Sequence, residues 1–446
     1  MIKIQNKQDC CGCAACEQSC PKHCITLRPD SEGFLYPSVD GSSCIDCGLC
    51  ERVCPILHPY EEHEPLRVMA AINRDKAIRE SSSSGGIFYM LASRVIHEGG
   101  VVFGARFDCE WQVLMDYTET MEGIHAFMGS KYVQARTGMS YADAKRFLVE
   151  GRRVLYSGTP CQIAGLYHYL RKPYGNLLTV EVVCHGVPSP MVWQKYLAET
   201  VRDIHRITSL RFRDKREGWK RFNFVLRYDE ASRTLEVHDF HGKNLFMRAF
   251  LSNLILRPSC KYCKAKRGRS RADISLADYW DVQSFHPEMD DDRGTSLVLV
   301  NTEKGRGILE TLDCQFVLST YANALKSNGG LSTHAVFHPK RGRFFAGLQD
   351  SESLAVLVNG LLRPTFNQQT KMVLRKCKHL IAKLLNNVMG GGKSGCSRTQ
   401  YSYTTYSNPP TSTLSLGGIK SVSFRDKSVG WKRYGMRIEV EVIDLT

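Results

Sequence analysis

The chain has 446 residues, 43% of them hydrophobic and 24% charged, which is typical of a globular protein with a substantial core. No apolar run approaches the 18 residues of a membrane span, and the opening MIKIQNKQDCCGC lacks a secretory h-region, so we expect a soluble cytoplasmic protein. The formal net charge is +15. Ten of the eighteen cysteines lie in the first 54 residues, and in a reducing compartment this indicates metal or redox chemistry.

The N-terminal cysteines form two copies of the pattern C-x2-C-x2-C-x3-C-P, at Cys10, Cys13, Cys16, Cys20 and at Cys44, Cys47, Cys50, Cys54. Two-cluster ferredoxins have this spacing, and the fourth cysteine of each copy ligates the other cluster. The predicted ligand sets for two 4Fe-4S clusters are therefore Cys10, Cys13, Cys16, Cys54 and Cys44, Cys47, Cys50, Cys20. Zinc is the alternative, but zinc sites usually pair two CxxC knuckles. Residues 1–60 are thus predicted to be an α+β ferredoxin-like domain, with Cys11 and Cys24 outside both ligand sets.

Residues 66–150 read as the first part of an α/β body. A strand is predicted at 68–72, followed by Ser81–Ser84, Gly85 and Gly86 and then by a helix that stops at Gly99 and Gly100. Two further strands are predicted at 101–107 and 113–117, then Lys131 in a loop and a helix near 141–150. A serine- and glycine-rich helix start suits a phosphate, although it is more often only a helix cap.

Residues 151–345 continue the alternation, which predicts a mostly parallel sheet with ligands at the carboxyl ends of its strands. Strands are predicted at 153–157 and 177–183, and each is followed by a cysteine, Cys161 and Cys184. Cys260 and Cys263 form a CxxC before a third strand that ends at Asp278. Four cysteines from three segments are therefore candidates for one site. A zinc knuckle, a dithiol pair or simple burial are the alternatives.

The order of motifs resembles the family of coenzyme F420 hydrogenase/dehydrogenase beta subunits over about residues 1–340. The motifs are the two N-terminal cysteine repeats, followed by SSSSGG, GSKYVQA, SGTPCQIAGL, EVVCHGVPSP, FRDKREGWK and CKYCKAKRGRSRADISLADYW. The resemblance implies an iron–sulfur flavoprotein with a third 4Fe-4S cluster on Cys161, Cys184, Cys260 and Cys263. It also implies a flavin, FAD in preference to FMN, near Ser83, Ser84, Gly85, Gly86 and Lys131.

The remaining features concern charge and the C-terminal region. Residues 202–271 carry nineteen Lys/Arg against seven Asp/Glu, which favours a solvated basic face or an acidic partner over nucleic acid. Residues 207–222 recur at 419–434 with ten identities in sixteen, beyond a Gly/Ser/Thr/Pro-rich linker. We predict a helical region at 346–389, with a basic amphipathic helix at 372–388 that packs on the body or contacts a membrane peripherally. Residues 390–446 are predicted to be linker and repeat fragment. Cys109, Cys314, Cys377 and Cys396 have no partner by spacing.

The function expected from these features is an electron-transferring oxidoreductase. A ferredoxin-type carrier or a catalytic redox subunit would exchange single electrons with the clusters, and a flavin would exchange hydride with a small substrate. Such a substrate would be deazaflavin-like or belong to surface-polysaccharide biosynthesis. His185 is the candidate proton donor. A non-catalytic electron-carrier subunit and a protein with structural zinc at its CxxC are the alternatives.

Overall fold

A central sheet of eight strands organises residues 1–363 of this computed structural model. The structure describes these residues and two short paired strands, Thr404–Thr405 and Met436–Arg437. Residues 1–363 form one compact unit. Several predictions concern residues outside the described ones, namely the helix at 372–388, the linker after 390, the repeat at 419–434, and Cys377 and Cys396. The predicted domain boundaries stay predictions.

The strands of residues 1–363 alternate with helices along most of the chain. The strands are β1 Ile25–Pro29, β2 Leu35–Val39, β3 Arg67–Asn73, β4 Val101–Phe107, β5 Val113–Thr118, β6 Val154–Gly158, β7 Leu177–Val182, β8 Ile207–Asp214, β9 Asn223–Glu230, β10 Arg233–Phe240, β11 Ile274–Asp278, β12 Ser296–Val300 and β13 Cys314–Ser319.

The helices follow the same order. They are α1 Ala15–Ser19, α2 Leu49–Arg52, α3 Lys76–Ser81, α4 Ile87–His97, α5 Met121–Phe127, α6 Ser140–Val149, α7 Pro160–Leu170, α8 Pro190–Thr200, α9 Leu245–Leu251, α10 Glu303–Leu309, α11 Tyr321–Ser327, α12 Arg341–Gln349 and α13 Leu354–Leu361. Short 3-10 turns occur at Lys7–Asp9, Ile204–Arg206, Pro258–Tyr262, Val282–Ser284, Pro287–Met289 and Gly329–Leu331. No helix among these residues is long and apolar enough to cross a membrane.

The central sheet has the strand order β13-β3-β12-β11-β7-β6-β4-β5. Its middle, β11-β7-β6-β4, is parallel, while β12, β13 and β5 run antiparallel to their neighbours. Five of the eight strands of this sheet therefore point the same way, because β3 pairs antiparallel with the reversed β12. The predicted parallel sheet is confirmed at its centre. The carboxyl ends of β6, β7 and β11 meet at one edge, where ligands collect in such sheets.

Apolar residues cover both faces of this sheet. Leu91 of α4 packs with Leu155 and Val180 on one face, and Tyr156 packs with Ile163 of α7 on the other. Strands buried on both faces read as continuous apolar runs, which is the pattern of β6 and β7 in the sequence.

The N-terminal segment joins the hairpin β1-β2 to two short helices. Helix α1 begins after Ala14 at φ 65°, and α2 begins after Gly48 at φ 68°. Each of these left-handed residues follows the second cysteine of its repeat, so the two copies of the motif share one backbone turn. The α+β character expected of this segment is present.

An antiparallel sheet of β8, β9 and β10 was not predicted from the sequence. The motif FRDKREGWK begins at the end of β8 and continues into the loop before β9; the sequence indicated its family resemblance and its basic charge but no strand. Several of its cations are paired, as in the ion pairs of Arg213 with Asp278 and of Lys220 with Asp290. The segment is therefore less basic at its surface than its composition implies.

Candidate metal centre and the adjoining serine–glycine loop

The first cysteine group consists of Cys10, Cys13, Cys16 and Cys54. Burial raises the pKa of Cys16, and the charges of Cys10 and Cys54 raise it further. Burial likewise raises the pKa of Cys54, with Cys10 and Cys50 adding to the effect. Thiols that disfavour each other's ionisation lie close together, so the fold brings Cys54 of the second repeat to the three cysteines of the first. The ligand exchange predicted from the spacing stays a prediction, and this proximity supports it.

The second cysteine group, Cys20, Cys44, Cys47 and Cys50, lines a small pocket. The backbone N–H of Ile2 donates to Cys50 Sγ at 3.3 Å, and that of Asp46 donates to Cys44 Sγ at 3.4 Å. Hydrogen bonds of this kind to the sulfurs adjust the reduction potential of an iron–sulfur cluster. Cys47 is exposed, so the pocket lies at the protein surface.

The third group, Cys161, Cys184, Cys260 and Cys263, converges from three segments at the sheet edge. Burial raises the pKa of Cys184, and Cys260 and Cys161 raise it further. Burial raises the pKa of Cys260 to about 12, again with contributions from its neighbours. The pKa of Cys263 is raised by burial and then by Cys161. The four thiols are therefore close enough to act on each other's ionisation.

The first and third groups meet at helix α7. A Cβ added to Gly165 of this helix would lie 3.0 Å from Cys13 Sγ, so the sulfur packs directly on the helix that Cys161 begins. Cys11 also lies at this junction, because Cys11 is the largest contributor to the raised pKa of Cys161, and Cys13 is the largest contributor to the raised pKa of Cys11. A residue that the spacing left outside the ligand sets thus lies between two of them.

All three groups offer four sulfur donors, which is the set that 4Fe-4S clusters take. Within residues 1–363, no three Cys, His, Asp or Glu side chains are close enough to hold a single metal ion. In a cubane cluster each cysteine binds a different iron, whereas a zinc ion draws its four ligands to about 2.3 Å from one centre. The donor chemistry of each group fits a cluster, and the ligand assignments are carried forward as a proposal.

The serine–glycine loop at Ser81–Gly86 lies beside the ends of β3 and β12. Ser83 Oγ accepts hydrogen bonds from the N–H and hydroxyl of Ser130, at 2.7 and 2.9 Å. The Gly85 N–H donates to Ser296 Oγ, and a Cβ on Gly85 would lie 2.4 Å from the Ala71 carbonyl oxygen. The loop is thereby held against the sheet, and only glycine permits that approach.

Two features of this loop suit an anionic ligand. Helix α4 begins after Gly86, at φ 84°, without a side-chain cap, so its first N–H groups are not bound by a capping side chain. Lys131 Nζ donates to the carbonyl oxygens of Met128 and Gly129, at 3.0 and 3.2 Å. Burial lowers the pKa of Lys131 to about 7. A phosphate at this position would favour its charged form.

A buried ion pair connects this loop to the sheet edge. Arg213, the arginine of FRDK, donates to both carboxylate oxygens of Asp278, at 2.7 and 3.2 Å, and to the Ser83 carbonyl oxygen at 3.3 Å. Trp219 Nε1 donates to the same carboxylate at 3.2 Å, and its ring stacks on Trp280. The basic motif therefore positions the serine–glycine loop, a role that its charge alone did not indicate.

The third cysteine group and the loop are linked by aromatic contacts. His185 follows Cys184, and its Nε2 lies 2.5 Å from Asn253 Oδ1. The His185 ring packs edge-on against Phe250, which in turn contacts Tyr132 with ring centroids 4.7 Å apart. Burial lowers the pKa of His185. His185 thus lies between Cys184 and the aromatic pair of Phe250 and Tyr132, and its role as a proton donor stays a prediction.

Comparison with known proteins identifies two parts of the chain. Residues 9–56 match the 4Fe-4S dicluster domain, and residues 151–322 match the family described as the C terminus of the beta subunit of coenzyme F420 hydrogenase/dehydrogenase. Each match covers less than half of the chain, so the similarity to this family is that of residues 151–322 and the similarity to the dicluster domain is that of residues 9–56. The resemblance inferred from the motifs is confirmed.

The relatives found are distant or partial. The F subunit of F(420)H(2) dehydrogenase from Methanosarcina mazei is 22% identical over 211 residues, which are 44% of this chain and 60% of that protein. A 7Fe ferredoxin of Hydrogenibacillus schlegelii is 43% identical over 49 residues, 11% of this chain and 56% of the ferredoxin. The chain therefore spans less than two thirds of either relative.

Part of the chain is also similar to a solved structure. It comes from the F420-reducing NiFe hydrogenase complex of Methanosarcina barkeri and covers 66% of this chain and 91% of its own, at 18% identity and a TM-score of 0.40.

Two contributors to the site escaped the sequence prediction. Cys24 lines the pocket of the second group, with its Sγ 3.3 Å from that of Cys20. Cys11 adjoins Cys161, 150 residues further along the chain. Neither Cys11 nor Cys24 fits a ligand spacing, and the only sign in the sequence was that each lies within a few residues of the motif cysteines. Cys109 is exposed, and Cys314 is buried at the start of β13.

Proposed function

We propose that this protein is an iron–sulfur flavoprotein oxidoreductase that exchanges single electrons with a ferredoxin-type carrier and hydride with a small substrate. When bound, 4Fe-4S clusters transfer single electrons, and a flavin converts between single electrons and hydride. The substrate class is deazaflavin-like or a nucleotide sugar of surface-polysaccharide synthesis. The proposal is supported by the family match and by the three converging cysteine groups.

The contact of Cys13 with Gly165 carries this proposal, because it joins the dicluster domain to the body of the protein. On one side, the first and second groups share an apolar cluster that includes Cys16, Cys20 and Cys50. On the other, Cys161 begins the helix that Cys13 touches. The exposed Cys47 and Ile45 mark the surface where a carrier would dock.

The proposed flavin position is the serine–glycine loop. The uncapped start of α4 and the cation of Lys131 would bind its phosphate, while Arg213 and Asp278 hold the loop in place. The aromatic contacts of Phe250 and Tyr132 would exclude water between this loop and Cys184. His185 is held by Asn253 and Phe250, which keeps its ring at the same edge, where we assign it the proton-donating role.

The test is the iron, zinc and extractable flavin content of anaerobically purified protein. About twelve irons and one flavin per chain are expected for three four-iron clusters. Cys161→Ser should lower the count to about eight, whereas the exposed Cys109→Ser should keep it. Zinc in place of the third set of irons would refute the third cluster and favour the structural-zinc alternative.

A non-catalytic electron-carrier subunit is the second candidate. It is favoured by the name of one relative, which is a subunit of F(420)H(2) dehydrogenase. The loaded protein alone, supplied with reduced ferredoxin and a deazaflavin, should catalyse hydride exchange if it is the enzyme. Reduction of an artificial dye without deazaflavin turnover would favour the carrier role.

A further inference from the structure

Arg257 is a buried cation at the junction of the first and third cysteine groups. Only 1% of it is exposed. Its Nε donates to the Cys10 carbonyl oxygen at 2.8 Å, its Nη2 to the Leu35 carbonyl oxygen at 2.9 Å, and its Nη1 to Gln134 Oε1 at 3.3 Å. All three acceptors are neutral, so its hydrogen bonds are satisfied while its charge is not balanced by them.

Other buried arginines of residues 1–363 have a carboxylate partner. Arg213 pairs with Asp278 and Arg79 with Asp291, and the partly buried Arg341 pairs with Glu32. Within the same residues Arg257 forms no ion pair, although it stacks over the Tyr36 ring at 4.3 Å. The two acidic residues near Tyr36, at positions 30 and 32, are already paired with a lysine and an arginine.

Burying an unbalanced charge costs free energy, and proteins normally place an opposite charge beside it. The surroundings of Arg257 indicate which anion would balance it. A Cβ on Gly12, between Cys11 and Cys13, would lie 3.0 Å from Arg257 Nη1, so the guanidinium packs on the loop of the first group. The Cys260 N–H donates to the Arg257 carbonyl oxygen at 3.0 Å, so the same residue begins the turn that carries the third group.

We propose that Arg257 is the counter-charge of the first and third iron–sulfur clusters and raises their reduction potentials. This inference rests on the proposed function for the third cluster, whereas for the first it requires only the dicluster domain. A cluster on four thiolates is anionic and gains one further negative charge on reduction, and net charge and burial set its potential. A fixed buried cation beside it stabilises the reduced form. The second group, whose pocket Arg257 does not line, would be little affected.

The experiment is a potentiometric titration followed by EPR on the loaded full chain and its variants. Arg257→Gln removes the charge, and Gln134→Glu places a carboxylate within reach of the guanidinium without removing it. Each should lower the ratio of reduced to oxidised cluster at least tenfold at the wild-type midpoint, for the first and the third cluster, which corresponds to about 59 mV for a one-electron couple. Arg257→Lys keeps the charge and should keep the potentials.

Controls separate this role from a structural one. Arg267→Gln removes an exposed charge from the same segment and should shift no potential, because water screens it. If Arg257→Gln does not fold, Gln134→Glu decides. A loaded Gln134→Glu protein with wild-type potentials would overturn the proposal, as would an equal shift of all clusters. About eight irons in the wild type would instead refute the third cluster, and the first cluster would still report on Arg257.

Discussion

Replacing Gly165 by alanine tests the contact between the dicluster domain and helix α7. The added Cβ would lie 2.9 Å from Cys13 Cβ, 3.0 Å from Cys13 Sγ and 2.8 Å from Tyr141 Oη. Ordinary contacts begin at about 3.4 Å, so both neighbours must withdraw by about half an ångström. Tyr141 is not free to do so, because its hydroxyl donates to the Gln162 carbonyl oxygen at 2.8 Å.

Two opposing effects set the magnitude. Alanine in place of glycine within a helix stabilises by about 1 kcal/mol. Overpacking a buried contact costs typically about 1–3 kcal/mol, and here the two neighbours at Gly165 are crowded at once. A net destabilisation of up to about 2 kcal/mol is therefore expected, and with an unfolding entropy of about 2.1 cal/mol/K for each of residues 1–363 it would lower the apparent melting temperature by up to about 3 °C.

The measurement is the apparent melting temperature and the iron content of Gly165→Ala, under anaerobic conditions. Gly307 of helix α10 is the matched control, because a Cβ added there meets nothing within 4 Å. Gly307→Ala should therefore stabilise the protein, whereas Gly165→Ala should destabilise it and lose iron from the first group. Equal stabilisation by both substitutions, with full iron content, would refute the packing of Cys13 on α7.

Two further predictions concern the serine–glycine loop. Folding lowers the pKa of Lys131 to about 7, so above pH 7 the unfolded chain binds more protons than the folded one, and the free energy of unfolding should rise from pH 7 towards pH 10. The melting temperature of flavin-free protein should show this rise, and Lys131→Met should flatten it. An unchanged slope in the variant would contradict the prediction. Arg213→Met leaves the Asp278 carboxylate buried without its partner, so a loss of about 3–5 kcal/mol in unfolding free energy and weaker flavin retention are expected. Asp278→Asn with Arg213→Met should recover part of that stability, and no recovery would show that the ion pair is not the cause.

Local structure was predictable wherever the apolar pattern agreed with the glycine and proline residues that end helices and strands. The predicted strand at 101–107 coincides with β4, and the strand ending at Asp278 coincides with β11. Helix α4 ends just before Gly99, whose φ is 73°. The β8–β10 sheet was not predicted from the sequence. Its strands alternate charged and apolar residues with the period of two that is typical of a strand, but the segment was interpreted only by its net charge and its motif.

The sequence by itself determined the chemistry of this protein. Cysteine spacing is a local property, so the repeats predict two clusters and their exchanged fourth ligands before any fold is known. The order of motifs was likewise sufficient to indicate the family whose model matches residues 151–322.

Only the tertiary structure decided how these parts adjoin. Cys11 lies beside Cys161, Arg213 holds a loop 130 residues away, and Arg257 lies buried without a carboxylate. Contacts between residues so far apart depend on strand order and helix packing, which hydrophobic periodicity does not encode. Whether a charge is buried and unpaired is a property of its surroundings in space, and no spacing along the chain reports it.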